Sequence, residues 1–135
     1  MRIVVITGSP HRHGTSALLA DRFIQGAQEA GHEIFRFDAC EKCHTTDRGC
    51  VHKDAMQQLN PHLLAADVVV FASPIYYYDW TAQLKLVIDR FYANGAKLRD
   101  GKKTLLLTAM SNQDPDAASG TNTTFRRIAK LLNWE

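Results

Sequence analysis

Arg2-Ile3-Val4-Val5-Ile6-Thr7-Gly8-Ser9-Pro10-His11-Arg12-His13-Gly14-Thr15-Ser16 begins as a β-branched run, stops at a glycine and passes through a turn rich in Gly, Ser and Thr into a helical pattern. A run that is apolar on both faces belongs in a buried parallel sheet, so residues 2–7 are expected as a first strand. From Thr15 to Ala30 the apolar residues Leu19, Phe23, Ala27 and Ala30 recur at steps of three and four, and Gly31 stands where a helix C-cap would. This predicts a first helix with those four residues turned inward. Glu33–Phe37 then reads as a second strand after a short Gly-His turn, closing a βαβ unit.

The alternation continues. Asp54 can cap a second helix carrying Met56, Leu59, Leu63 and Leu64, in which Pro61 calls for a kink or a restart near Asn60. Asp67–Ser73 is a third buried strand. A third helix is expected from about Trp80 to Asn94, with Leu84, Ile88 and Phe91 inward and Gly95 ending it. Lys103–Ala109 reads as the fourth strand, and Thr123–Asn133 as a fourth helix with Phe125, Ile128 and Leu132 inward. Strands alternating with helices over short connections imply an α/β fold: a doubly wound parallel sheet in three layers with right-handed crossovers. Ligands of such sheets sit beyond the carboxyl ends of the strands, where the strand order reverses. The loops after Thr7, Ser73 and Ala109 should therefore form the site.

The chain has 135 residues, 45% hydrophobic and 22% charged, which suits one compact core and leaves no room for a second domain. Sixteen basic against fourteen acidic side chains give a formal charge of +2, too small and too evenly spread to favour nucleic acid. No apolar run approaches the roughly 20 residues of a membrane span, and Met1-Arg2 leads into the first strand without a signal-peptide cleavage region. A cytoplasmic protein with neither a nucleic-acid nor a membrane partner is the expectation.

The first loop aims backbone N–H groups and the hydroxyls of Ser9, Thr15 and Ser16 at a helix N-terminus, where a phosphate is favoured. A solvated turn capped by Thr15 is the plainer alternative. Nucleotide hydrolysis is disfavoured because no Gly-Lys-Ser or Gly-Lys-Thr follows the strand, and Gly-x-Gly-x-x-Gly is missing as well. With no cysteine in this loop, a thiol phosphatase is excluded. What remains is a loop that would hold a phosphate without acting on it. The second loop, Ser73-Pro74-Ile75-Tyr76-Tyr77-Tyr78-Asp79-Trp80, puts four aromatics beyond a buried strand, suited to a flat heterocycle or to a lid or subunit interface. FMN carries a phosphate at one end and a large flat ring at the other.

Gly8-Ser9-Pro10 with Gly14-Thr15-Ser16, then Ala72-Ser73-Pro74-Ile75-Tyr76, Ala82-Gln83-Leu84-Lys85 and Ile88-Asp89-Arg90, resembles the NADPH-dependent FMN reductase family of the flavodoxin-like superfamily, which includes the iron–sulfur flavoproteins. The resemblance spans nearly the whole chain and implies a single flavodoxin-like FMN-binding domain over residues 1–135. It implies that Ser9, His11, Gly14, Thr15 and Ser16 hold the FMN phosphate, and that Pro74, Ile75, Tyr76 and Tyr77 border the ring. Ser111, in the loop Ala109–Gln113, would close the ring's other side. His11 and His13 depart from the Arg and Asn often found there. The implied activity is electron transfer from NAD(P)H through FMN to a quinone, flavin or other small-molecule acceptor, with no protein nucleophile and no catalytic side chain of its own. A homodimer with Tyr78 and Trp80 near its interface is implied too. The competing reading is an electron carrier, like a flavodoxin or an iron–sulfur flavoprotein, that does not take up hydride efficiently.

Cys40-x2-Cys43-x6-Cys50 has a spacing compatible with a cluster or zinc site, but three thiolates do not complete a four-thiolate set unless His44 or a partner chain adds a ligand. Relatives with a cluster carry a further cysteine where Phe37 stands. Plain thiols are the favoured reading, so no metal is assigned. The segment at Ala39-Cys40 looks shortened relative to the family. The chain also stops after the fourth helix, before the fifth edge strand of the 2-1-3-4-5 order, so truncation or a further tail is expected and the edge of the fourth strand should be bare.

Overall fold

The computed structural model describes residues 1–39 and 55–135; Asp54 and the three cysteines lie outside the described residues. Strands β1 (Arg2–Thr7), β2 (Glu33–Asp38), β3 (Val68–Pro74) and β4 (Lys103–Ala109) pair in parallel in the order β2-β1-β3-β4. Ile3 lies opposite both Ile34 and Val68, and Val70 opposite Leu105, which places the apolar run of β1 in the middle of the sheet. The order reverses between β1 and β3, as in flavodoxin-like sheets.

Strand side chains alternate between two apolar layers, because successive residues point to opposite faces. Val4, Ile6, Val69 and Phe71 meet one layer, drawn from α2 (Met56–Ala65), α3 (Ala82–Asp89) and α5 (Ser119–Leu132). Leu59, Leu63, Leu84 and Val87 are its fully buried centre. On the opposite face Ile3, Val5, Val70 and Ala72 pack against α1 (Thr15–Glu29) through Ala20, Phe23 and Ala27.

The first helix turns a slightly different stripe inward than expected. Ser16, Ala17 and Ala20 are buried, while Leu19 and Ala30 are exposed. Small residues at the contact let α1 lie close to the sheet, and this outweighs the larger side chain of Leu19. Gly31, with φ +79, and its N–H bonded to Gln28 O then end the helix as the sequence suggests.

Helix α2 runs from Met56 to Ala65 through Pro61 without the expected restart. Gln57 and Pro61 both face solvent, so water can satisfy the carbonyl that proline leaves unpaired. The third helix is not one element. Thr81 caps α3, a 3-10 turn follows over Arg90–Asn94, and Gly95 continues into the short helix α4 (Gly95–Leu98) instead of stopping it. The left-handed residues that end this stretch are Asp100 and Gly101. Trp80 precedes the helix and is buried against Phe71. Helix α5 starts at Ser119, four residues early, behind a 3-10 turn over Pro115–Ala118 in which the Asp114 carboxylate accepts from Asp116 N.

Three tethers fix the far side of the sheet. Lys102 Nζ donates to Leu64 O (3.0 Å) and Ala66 O (2.7 Å) at the end of α2. Burial pushes this lysine below its ordinary pKa against the pull of Asp67. Trp134 Nε1 donates to Leu98 O (2.6 Å). Glu135 takes a strand-like place beside β4, its N–H bonded to Lys102 O (3.0 Å) and its carbonyl accepting from Thr104 N (2.6 Å), so the outer edge of β4 is not wholly bare.

Candidate functional site

The loops after β1, β3 and β4 meet at the carboxyl end of the sheet, as a doubly wound topology requires. Backbone bonds join them directly. Gly8 N–H donates to Ala72 O (2.8 Å), tying the first loop to β3, and Ile75 N–H donates to Ala109 O (2.9 Å), tying the second loop to the third.

In the first loop Ser9 is buried, and its hydroxyl donates to His11 O (2.9 Å) and accepts from His11 N (3.1 Å). Gly14 N–H donates to the same carbonyl (3.1 Å), so residues 9–14 close a compact turn. A Cβ on Gly14 would lie 3.3 Å from both Cβ and O of His11, so a larger residue there would need His11 to give by a few tenths of an ångström. His11, Arg12, His13 and Thr15 are exposed, and Ser16 is buried under the helix. Gly14 serves as the N-cap of α1, no side chain caps the helix, and no acidic residue occupies its first turn. Among the described residues no side-chain cap meets the first N–H groups of this fifteen-residue helix, which face the end of the sheet with the positive pole of its dipole. That combination fits a phosphate.

The second loop is a tight hairpin. Tyr76 N–H donates to Asp79 O (2.9 Å) and Asp79 N–H to Tyr76 O (3.2 Å), while Tyr77 (φ 50) and Tyr78 (φ 69) both take the left-handed conformation. Two positive φ angles at the centre of a two-residue hairpin define a type I′ turn, a place usually filled by Asn-Gly. Helix α5 supports it: Thr121 Oγ1 lies 3.4 Å from Tyr78 O, and a Cβ on Gly120 would come within 3.1 Å of that oxygen. The Asp79 carboxylate accepts from Trp80 N (2.8 Å) and turns the chain back into the core.

Of the residues read from the sequence as bordering a ring, Pro74 is buried and Ile75 half-buried at the sheet end, and Tyr76 is partly exposed. Tyr77 is 98% exposed, so its ring stands in solvent away from the other described residues. Ser111 is exposed in the third loop. The sequence reading passed over Thr81, Gly120 and Thr121, which brace the loops from beneath. For Thr81 there was a signal, a threonine immediately before an apolar periodic run, the usual mark of an N-cap.

Polar groups gather at the neighbouring edge, where β1 and β2 end. The Thr7 hydroxyl donates to the Asp38 carboxylate, and Arg36 bonds Asp38 Oδ1 (3.0 Å) and the Asp21 carboxylate. Burial alone would lower the guanidinium's pKa, but the Asp38 and Asp21 carboxylates outweigh it and hold Arg36 above its ordinary value.

A separate groove of about 1110 Å³ opens between α3 and α5, walled by Ile88, Phe91, Tyr92, Ile128 and Leu131, with Lys85, Asp89, Arg99 and Asp100 around it. No residue of the three loops lines it, so it is distinct from the strand-end site. Among the described residues, no helix is long and apolar enough to cross a membrane.

Comparison with known proteins bears on the family and the fold. The chain is 32% identical over 104 residues to an iron-sulfur flavoprotein of Archaeoglobus fulgidus, covering 70% of this chain and 47% of that one. It is 32% identical over 107 residues to an iron-sulfur flavoprotein of Methanocaldococcus jannaschii, covering 72% and 54%. The chain therefore spans about half the length of the curated relatives it matches. Its fold superposes on the apo form of the NADH:FMN oxidoreductase EMOB with a TM-score of 0.78 at 22% identity, over 98% of this chain and 70% of that one. The family model described as NADPH-dependent FMN reductase matches residues 1–126, and the chain belongs to that family.

Proposed function

We propose that the chain is a single flavodoxin-like FMN-binding domain, residues 1–135, of an NAD(P)H-dependent oxidoreductase. The observation that carries this reading is the N-terminus of α1, with no side-chain cap among the described residues and no acidic residue in its first turn, at the end of a loop that Gly8 ties to β3 just before the tyrosine hairpin. The phosphate would be held by the N–H groups of that helix start and by Gly14, Thr15 and Ser16, with Ser9 and His11 shaping the turn. Pro74, Ile75, Tyr76 and Tyr77 would border the ring on one side, and Ser111 on the other. When bound, FMN supplies hydride acceptance and electron release, and the protein supplies position, hydrogen bonds and exclusion of water. NAD(P)H is the donor in this reading, and a small molecule such as a quinone or a flavin is the acceptor.

A cytoplasmic homodimer completes the proposal. Supporting it, the α3–α5 groove exposes Tyr92 and Leu131 and carries both signs of charge around it, an arrangement that can complement itself across a two-fold axis. A specific observation favours the second reading, an electron carrier. The relatives named above are iron-sulfur flavoproteins, and Cys40, Cys43 and Cys50 fall together in one segment of this chain.

The test is spectroscopic. Purified protein reconstituted with FMN is mixed anaerobically with NADPH, then NADH, while the flavin absorbance is followed. Bleaching within the mixing time supports the oxidoreductase. A bound flavin that stays oxidised moves the assignment to the carrier, and failure to retain FMN at all refutes both.

A further inference from the structure

We propose that Thr81 is a positioning residue that sets the spacing between the phosphate-holding loop and the tyrosine hairpin. The inference rests on the reading above, in which both loops grip one FMN.

Thr81 is buried, at 3% exposure, and lies between the loops. Its hydroxyl has one proton, and the partners settle where it goes. Gly8 O can only accept and Leu84 N can only donate, so Oγ1 donates to Gly8 O (2.7 Å) and accepts from Leu84 N (3.3 Å). The Thr81 N–H donates to Ser73 Oγ (3.1 Å), and that hydroxyl donates to Pro74 O (2.8 Å). One residue thereby binds the last carbonyl before Ser9, the start of the hairpin segment and the first turn of α3. The approach is close: a Cβ on Gly8 would lie 2.6 Å from Thr81 Oγ1 and 2.7 Å from Leu84 Cβ. The β1–β3 ladder ends with Gly8 N–H on Ala72 O, and beyond that rung the hydroxyls of Thr81 and Ser73 link the two loops.

A ligand anchored at both ends behaves as a bivalent one. Its second contact forms at an effective concentration that depends on how well the spacing is preset. FMN engages both loops in this reading, whereas riboflavin, which lacks the phosphate, engages the hairpin side alone. Loss of the brace should therefore weaken FMN much more than riboflavin. A merely structural role would weaken both alike.

The experiment measures the dissociation constants of FMN and riboflavin by flavin fluorescence for the wild type, Thr81→Val, Thr81→Ser and Ser73→Ala. Thr81→Val is expected to lose about tenfold or more in FMN affinity while riboflavin changes by less than about threefold, which shrinks the preference for FMN. Thr81→Ser, which keeps the hydroxyl, should restore FMN affinity to within about threefold of wild type. Ser73→Ala, which leaves the α3 cap intact, should shrink the preference in the same direction, and it carries the test if Thr81→Val does not fold. An unchanged ratio of the two constants, or a serine variant no better than valine, overturns the positioning role while leaving FMN binding intact. A wild type that binds neither flavin overturns the proposed function and this inference with it.

Discussion

Gly8→Ala adds one methyl group where the two loops and α3 converge. The new Cβ would stand 2.6 Å from Thr81 Oγ1, 2.7 Å from Leu84 Cβ and 3.4 Å from Ser73 Oγ. Carbon atoms in contact prefer about 3.5–4.0 Å, so Leu84 would have to retreat by roughly 0.8 Å or more. It has nowhere to go. Leu84 has no exposed surface and lies in the same core as Val69, Phe71 and Phe91. Thr81 is held by its bond to the carbonyl of Gly8 itself. Overpacking of a tight core costs about 1–3 kcal/mol, and two simultaneous collisions place this change near the top of that range. Partial loss of the Thr81 bond, buried on both sides, adds about 1 kcal/mol. A domain of this size loses roughly 3–6 °C of Tm per kcal/mol, so a fall of about 10 °C or more is expected in thermal unfolding followed by circular dichroism. Gly26→Ala in α1 is the matched control, because its Cβ would meet nothing within 4 Å. Equal melting temperatures for Gly8→Ala and wild type would show that the first loop and α3 are not in contact there, and the account of the braced site would fall.

The control carries its own expectation: Gly26 is an exposed interior position of α1, so alanine should stabilise by about 0.5–1 kcal/mol, seen as a higher denaturant midpoint. Thr15→Glu separates the fold from the ligand. A carboxylate in the first turn of α1 favours the helix by about 0.3–1 kcal/mol in the apo protein yet repels a phosphate, so Tm should hold or rise while FMN affinity falls about tenfold; a fall in both, or in neither, contradicts the phosphate assignment. Lys102→Met removes two hydrogen bonds to the end of α2 and should destabilise by about 1–3 kcal/mol. Because burial holds the folded pKa of Lys102 below its unfolded value near 10.5, the unfolded chain binds more protons between those two values. Wild-type stability should therefore gain on that of the methionine variant as pH rises toward 10.5, and a difference that shrinks over that window would contradict the burial of this charge.

Strands β1 and β4 were legible to the residue, because a β-branched or leucine run bounded by polar and glycine residues admits one reading. Alternation alone pointed to a parallel doubly wound sheet, while the strand order β2-β1-β3-β4 was implied by the family resemblance. The helices were less legible, each for its own reason. Ser119-Gly120-Thr121-Asn122 has low helix propensity, yet it forms the first turn of α5 because Asp114 and Pro115 start a 3-10 turn that feeds into it. Gly95 reads as a stop, but with φ −51 it is simply helical, and the left-handed work falls to Asp100 and Gly101 five residues on. Leu19 misled because periodicity ranks residues by size, whereas a helix lying close to a sheet selects alanine and serine. Both candidate loops could be located from the residues. What holds them together could not: the bond from Thr81 to Gly8 spans 73 positions, and no local pattern encodes it.

The tyrosine hairpin shows where the local rules and the folded chain part company. A type I′ turn asks for Asn-Gly, and a bulky residue in the left-handed region costs about 1–2 kcal/mol relative to its preferred conformation. Tyr77 and Tyr78 meet that cost without recovering it by burial, since their side chains are 98% and 66% exposed. The turn persists because its surroundings over-determine it. Tyr76 and Asp79 exchange both backbone bonds, Asp79 anchors Trp80 N, Trp80 is locked in the core against Phe71, and Gly120 leaves just enough space for the Tyr78 carbonyl. Strain of this kind, held by a rigid frame and displayed at the carboxyl end of a parallel sheet, is characteristic of places where a fold presents side chains to something other than itself. Replacing Tyr77-Tyr78 by Asn-Gly should consequently raise the stability of the domain, and a lower melting temperature for that variant would contradict the strain.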